Sequence, residues 1–271
     1  MRGFVYYSQT DVKRNRLFID DLFKEAEKIG IQLQLLIDDE MPDLDADFVL
    51  FRGRDFERMK TFEEAGLLVI NRSEVNRIAN HKLHTYELAL LLGVPAVPTK
   101  KIRSAADIQT YPAIVKTVNG HGGHEVFFCA TKEKTESILK KYSNQELIVQ
   151  PFIESGARDV RVFVLGNEVI GAVKRTGNDS FKSNFTLGGT IEKFTLSTSQ
   201  EKNALTIANA LKSDYIGIDF LLLPDGSWLL NEIEDPVGAR SLYLTHDFSV
   251  AEKLMGYVKG KVYEGEFITT Q

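Results

Sequence analysis

Residues 219–234 read DFLLLPDGSWLLNEIE and place three carboxylates on two predicted strands that are joined by one tight turn. The Pro-Asp-Gly-Ser segment after Leu223 favours a hairpin loop. A four-residue loop puts Asp219 opposite Glu232, and strand alternation then brings Glu234 to the same face. Three like charges this close repel one another and predict a cation, for which oxygen ligands favour Mg²⁺ or Mn²⁺ over Zn²⁺. The alternative is a solvated hairpin with scattered acids, but the flanking apolar residues favour a half-buried sheet.

The composition excludes several classes of protein. The 271 residues are 43% hydrophobic and 26% charged, with a net charge of −5, which is ordinary for a soluble globular protein. The acidic balance and the absence of a basic run give no reason to bind nucleic acid. No window approaches the ~18 apolar residues of a membrane helix, and the N-terminus lacks a signal-peptide core. The single cysteine, Cys129, excludes an internal disulfide and favours a cytoplasmic location.

Strands alternate with helices over residues 1–75, which predicts a small parallel-sheet α/β domain. The capping residue Ser73 begins one helix that runs to Leu92, where Gly93 stops it. We expect a middle domain over 76–147 and a C-terminal domain over 148–271. The other predicted elements are strands at 3–7, 31–37, 48–52, 67–70, 147–153, 160–165 and 169–174, and helices at 15–29, 56–65, 134–142 and 200–211, with a last helix from about 248.

Two segments could hold a nucleotide. Residues 111–128 read YPAIVKTVNGHGGHEVFF, with Lys116 at the end of an apolar strand before a glycine-rich loop. Glycines bring amide groups against an anion, and a lysine adds a point charge for phosphate. A flexible hairpin with an exposed lysine explains this segment equally well. In LIVQPFIESG, residues 147–156, a proline leaves backbone groups around Gln150–Ile153 free for a purine edge, or it marks a plain sheet edge.

Residues 158–175, RDVRVFVLGNEVIGAVKR, form a second predicted hairpin around Gly166-Asn167. In an ideal two-residue hairpin Asp159, Arg161 and Lys174 share a face, whereas Arg175 points to the other. These charges converge only if the strand bulges or twists. Surface salt bridges are the alternative for some of them.

The order of these motifs, followed by FKSNFTLGG at 181–189, resembles the ATP-grasp superfamily and specifically the RimK-like ligases. The resemblance covers the chain from about Ser73 onward. It implies a mixed α/β (α+β) ATP-grasp fold, in which two α+β subdomains clasp ATP beside the small N-terminal domain. It also implies a carboxylate–amine ligase that forms an amide through an acylphosphate and releases ADP and phosphate.

The resemblance assigns a role to each matching residue. It implies phosphate contacts for Lys82 and Lys116, and a catalytic role at the transferred phosphate for Lys116 and Arg175. The nucleotide-binding set further comprises Gln150, Pro151, Phe152, Ile153, Asp159, Lys182 and Asn184. The metal ligands for Mg²⁺ or Mn²⁺ are Asp219, Glu232 and Glu234.

Two positions depart from the family pattern. His81 stands where the family usually has aspartate, and Glu234 stands where it usually has asparagine. Glutamate still offers oxygen, so metal binding survives, and the added charge favours tighter binding.

The substrates expected from the resemblance are an amino acid, such as glutamate, and a carboxylate on a small molecule, peptide or protein. Arg52, Arg54 and Arg240 are candidates to hold an acidic substrate, although each is otherwise a surface residue. We expect no nucleic-acid or membrane partner, and a homo-oligomer is the common default. A catalytically silent ATP-binding regulator and an ATP-grasp kinase remain the alternatives.

Overall fold

The structure, a computed structural model, describes residues 1–177 and 189–269, with side chains through Glu264. Lys182 and Asn184 therefore lie outside the described residues. Within these ranges the chain forms three four- or five-stranded sheets, in agreement with the predicted mixed α/β class. None of the helices described is both long and apolar enough to span a membrane.

The first sheet is parallel, as the strand–helix alternation predicts. Its order is β2-β1-β3-β4. The elements are β1 (Arg2–Tyr7), α1 (Gln9–Lys28), β2 (Gln32–Ile37), β3 (Phe48–Phe51), α2 (Phe56–Glu64) and β4 (Val69–Ile70). Helix α1 includes an extra segment before the predicted start, which the Ser8 side chain caps by accepting from Asp11 N, and a kink at Asn15 (φ −112°, ψ 15°) separates it from the predicted helix.

The single helix predicted over 73–92 is wrong, because the chain forms α3 (Ser73–Ala79) and α4 (Lys82–Leu92). His81 has extended backbone angles, and its Nδ1 accepts from His84 N to cap α4. Ser73 does not cap α3 either, since its backbone N–H and hydroxyl both donate to the Glu63 carboxylate. The predicted stop at Gly93 is confirmed, with φ at 66°.

The second sheet is antiparallel and has the order β5-β8-β6-β7. It contains β5 (Lys100–Ile102), β6 (Ala113–Thr117), β7 (Val126–Cys129) and β8 (Leu147–Pro151), with α5 (Lys132–Lys141) packed beside it. Strand β8 lies inside this sheet. The division into domains at 75 and 147 stays a prediction.

The third sheet is antiparallel, with the order β11-β10-β9-β12-β13. Its elements are β9 (Arg158–Leu165), β10 (Glu168–Thr176), β11 (Thr190–Lys193), α6 (Thr198–Leu211), β12 (Tyr215–Leu222) and β13 (Trp228–Glu234), followed by α7 (Arg240–Thr245) and α8 (Val250–Thr269). Helix α7 was not predicted. Helix α8 returns to pack on α1, so the first and third sheets share one apolar core.

The register between β12 and β13 depends on the length of the loop that joins them and on one β-bulge. Leu222 pairs with Trp228, so the loop between β12 and β13 spans residues 223–227 and is one residue longer than predicted. An extra residue, Asn231, then bulges from β13 and restores the predicted pairing of Asp219 with Glu232. The four-residue loop is therefore wrong, whereas the opposition of the two acids is confirmed.

Candidate active site

The three acids of the hairpin come together on one face of the third sheet. One carboxylate oxygen from each of Asp219, Glu232 and Glu234 lies within 4.8 Å of the others. Asp219 is 1% exposed, and the other two acids are partly buried. Oxygen-only donors at this spacing suit a hard divalent ion. Their assignment as metal ligands stays a prediction.

Two arginines neutralise the acid that is most deeply buried. Arg161 donates to both oxygens of Asp219 at 2.6 Å, and Arg175 Nη2 donates to the same carboxylate at 2.8 Å. Burial raises the pKa of Asp219, but the two guanidiniums outweigh it and lower the pKa to about 2. Asp219 is therefore ionised at neutral pH.

Arg175 lies opposite Asp159, contrary to the ideal hairpin. The register between β9 and β10 shifts between Val169 and Gly171, and this bulge pairs Arg175 directly with Asp159. Arg175 donates to Asp159 at 2.6 and 2.8 Å and is 7% exposed. The bulge is the condition under which these charges were expected to converge, and Arg175 bridges Asp159 and Asp219. It also removes Lys174 from the face of Asp159, and Lys174 pairs with Glu192 instead.

Two lysines face the acids from the other side. Lys116, 5% exposed, is the last residue but one of β6 and donates to Asn231 Oδ1 at 2.9 Å. Burial lowers the pKa of Lys116 to about 8. Lys82 starts α4, where its Nζ donates to Gly120 O in the glycine-rich loop and lies 3.7 Å from Glu232. The glycine-rich loop, both lysines and the acidic hairpin therefore meet at one place.

A cleft of about 770 Å³, including its open mouth, lies between the second and third sheets. Its lining includes the charged side chains of Lys82, Lys116, Asp159 and Glu232. It also includes the apolar side chains of Val97, Ile114 and Leu221 and all four predicted hinge residues, Gln150, Pro151, Phe152 and Ile153. A cleft that combines apolar side chains with cations and carboxylates suits a base and its phosphates.

Two residues of the site went unassigned at the sequence level. Arg161 shares the face of Asp159, as predicted, but its pairing with β12 and hence with Asp219 was not foreseen. Its signal was the two-residue spacing from Asp159. Asn231 reaches Lys116 because it bulges from β13. In the sequence, the feature that could have indicated its role was a single polar residue at the end of the apolar run before Glu232.

The three arginines proposed for acidic substrates have different surroundings. Arg52 is buried and donates to Val237 O, so its expected surface position is wrong. Arg54 is partly exposed and lies beside Glu234. Arg240 is exposed at the start of α7.

Residues 78–258 match the RimK-like ATP-grasp domain. The chain belongs to the RimK-like ATP-grasp family. A protein of Mycoplasma genitalium is 31% identical to this RimK-like chain over 245 residues, which cover 88% of this chain and 85% of that protein. A probable alpha-L-glutamate ligase of Haemophilus influenzae is 29% identical over 213 residues, covering 74% and 70%. Human N-acetylaspartylglutamate synthase A is 28% identical over 251 residues, covering 85% and 64%.

Solved structures support the same fold. D-cycloserine synthetase superposes on this RimK-like chain with a TM-score of 0.77 and 16% identity, covering 97% of this chain and all of that one. D-alanine–D-alanine ligase from Bacillus anthracis, solved with ATP, gives a TM-score of 0.74 at 16% identity, with coverages of 97% and 98%. As a member of the RimK-like ATP-grasp family, the protein is an ATP-grasp ligase of the ADP-forming class.

Proposed function

We propose that this protein joins a carboxylate to an amine through an acylphosphate, with ATP and Mg²⁺ or Mn²⁺ bound in the cleft between the second and third sheets. The observation that carries the proposal is the meeting of Lys116, Arg175 and the three-acid cluster in one place. The relatives include a probable alpha-L-glutamate ligase, and a solved ATP-grasp ligase of similar fold, 15% identical, holds a precursor peptide. We therefore propose glutamate or another amino acid as one substrate, and a peptide, protein or small carboxylate as the other.

The substrate carboxylate is a poor electrophile, because its leaving group would be oxide. Its oxygen attacks the γ-phosphorus of ATP and ADP leaves, which gives an acylphosphate. The amine nitrogen then attacks the acyl carbon, phosphate leaves, and the nitrogen loses a proton to solvent. Lys116 and Arg175 neutralise the transferring phosphoryl group, and a metal held by Asp219, Glu232 and Glu234 would add to this electrostatic stabilisation.

The residues around the reaction position ATP and exclude water. Phe152 and Ile153 line the cleft, and the base would lie against their apolar side chains. The glycine-rich loop has Gly122 and Gly123 at positive φ, and its Gly120 carbonyl accepts a hydrogen bond from Lys82 Nζ. Closure of this loop would protect an acylphosphate from hydrolysis.

The test is to incubate the protein with ATP, Mg²⁺ and paired panels of amino acids and carboxylates. We expect ADP and phosphate only when a carboxylate and an amine are both present, with an amide in the product mass spectrum. A carboxylate labelled with ¹⁸O should transfer one labelled oxygen to phosphate. ADP with a stable phosphorylated product would indicate a kinase, and nucleotide binding without turnover would indicate a regulator. Asp219→Asn serves as the inactive control.

A further inference from the structure

Arg54 brings a guanidinium from the first segment of the chain to the carboxylate cluster. Its Nη2 lies 3.6 Å from Glu234 Oε2, and 30% of its side chain is exposed. The other oxygen of Glu234 accepts from Arg161 Nη2 at 2.9 Å. Glu234 is therefore held between two cations.

The backbone that presents Arg54 is fixed to the hairpin. A Cβ on Gly53 would come within 2.8 Å of the Tyr6 ring, so only glycine allows this close approach. Asn76 Nδ2 donates to Gly53 O at 3.0 Å and to Asp235 Oδ2 at 2.9 Å. Because Asp235 directly follows Glu234, one asparagine aligns Arg54 with the acid that it faces.

The two guanidiniums around Glu234, those of Arg54 and Arg161, differ in the number of carboxylates that they contact. Arg161 also binds both oxygens of the buried Asp219 at 2.6 Å. Within 1–177 and 189–269, Arg54 pairs only with Glu234, at a separation longer than a hydrogen bond. An ion that took Glu234 as a ligand would therefore release Arg54 before Arg161.

Arg54 lies outside the nucleotide cleft. Among the described residues, those that line the cleft begin at Lys82, and the first segment contributes none of them. A released Arg54 would therefore meet a second molecule that reaches the acids from the side of the first sheet. Guanidinium groups bind carboxylates through two parallel N–H bonds, which fixes orientation as well as charge.

We propose that Arg54 is a specificity-determining residue, which exchanges Glu234 for the carboxylate-bearing substrate when a divalent metal binds the hairpin. The proposal rests on the ligase function proposed above and assigns one residue of its acyl-substrate site. It also sets an order of binding. Metal and nucleotide bind first, because Arg54 remains paired to Glu234 until the metal arrives.

The exchange itself is tested without any substrate. Mn²⁺ is titrated into wild type, Arg54→Gln and Lys60→Gln in the absence of nucleotide, and bound Mn²⁺ is followed by electron paramagnetic resonance. Lys60 is 57% exposed on α2 and provides a matched loss of charge. We expect Arg54→Gln to bind Mn²⁺ about two- to fivefold more tightly, with a smaller difference at high salt. Equal Mn²⁺ affinity in Arg54→Gln and Lys60→Gln would overturn the proposed exchange.

The substrate contact is tested by steady-state kinetics with the carboxylate that supports most turnover in the wild type. We expect Arg54→Gln to raise the KM for that carboxylate about tenfold or more, with the KM for ATP unchanged. Arg54→Lys should recover part of the loss, and Lys60→Gln should behave as wild type. An unchanged carboxylate KM in an active Arg54→Gln overturns the role of Arg54 alone. A wild type that turns over no carboxylate overturns the ligase function, and with it this contact.

Discussion

Nucleotide affinity should fall above pH 8, because Lys116 loses its positive charge there. Burial lowers the pKa of Lys116 to about 8 in the free protein. A bound phosphate favours the ammonium form, so the pKa of Lys116 rises when nucleotide binds. Binding therefore takes up a proton between pH 8 and the higher pKa of the complex. Below pH 8 the lysine is charged in both states, and its contribution to affinity is constant.

The pKa of Lys116 sets the size of this effect. At pH 9 roughly one free protein molecule in ten still carries the charged lysine, given the pKa of about 8. ADP should consequently bind about tenfold more weakly at pH 9 than at pH 7, which corresponds to about 1.4 kcal/mol. Asn231 Oδ1 accepts a hydrogen bond from Lys116 and carries no charge. It therefore positions the ammonium group without neutralising it, and the positive charge of Lys116 remains available to phosphate.

The assay is calorimetric titration of ADP from pH 6.5 to 9.5 in a chelating buffer, repeated in buffers of different ionisation enthalpy to count protons. Lys116→Met should bind weakly with little pH dependence. Lys116→Arg should remove the decline, because a guanidinium stays charged throughout this range. A flat wild-type profile, or the same decline in Lys116→Met, would refute the assignment of this titration to Lys116.

Three further predictions follow from the same contacts. Lys116→Met should raise the free energy of unfolding at pH 7 by up to about 3 kcal/mol in urea titrations. The pKa of Lys116 is about 8 in the folded protein and 10.5 in the unfolded chain, so the charged lysine destabilises the wild type at pH 7. This destabilisation decreases above pH 8 and is lost above pH 10.5. Asn231→Asp should move the midpoint of the ADP profile above pH 8, and Asn231→Leu should move it below, since one adds a partner charge and the other removes the acceptor. Asp219→Asn should lower the free energy of unfolding by about 3 kcal/mol, because it leaves Arg161 and Arg175 without their shared carboxylate. It should also abolish Mn²⁺ binding in the titration used for Arg54, because it removes a charged ligand, and near-wild-type Mn²⁺ affinity would contradict the role of Asp219 as a ligand.

The features predicted best from sequence depend on patterns repeated over many residues. Strand alternation and turn residues placed Asp219 opposite Glu232, and the strand–helix alternation gave the parallel first sheet. The order of motifs gave the family. The strand–helix alternation and the order of motifs persist when one element is misplaced by a residue or two. The pairing of Asp219 with Glu232 does not, and it was predicted correctly because the bulge at Asn231 offsets the longer loop.

The features missed depend on single residues and on contacts between distant segments. The bulges at Ile170 and Asn231 each shift the register by one residue, which reverses the face of every later side chain. The break between α3 and α4 involves Asn80, whose side chain donates to Asn76 O and to Asp235 O, 155 residues away. Local propensity contains no information about such a partner.

The bulges also explain how a cluster of acids is tolerated in a folded sheet. Without the shift at Ile170, Lys174 rather than Arg175 would lie opposite Asp159, and Asp219 would keep only Arg161 of its two guanidinium partners. Breaking a buried ion pair costs several kcal/mol, so the register that places Arg175 between the two acids also stabilises the fold. The same arginines occupy the face on which a metal would bind. A metal that bound there would displace some of these ion pairs, and the partly exposed Arg54, which pairs only with Glu234 within 1–177 and 189–269, is the arginine held by the fewest contacts.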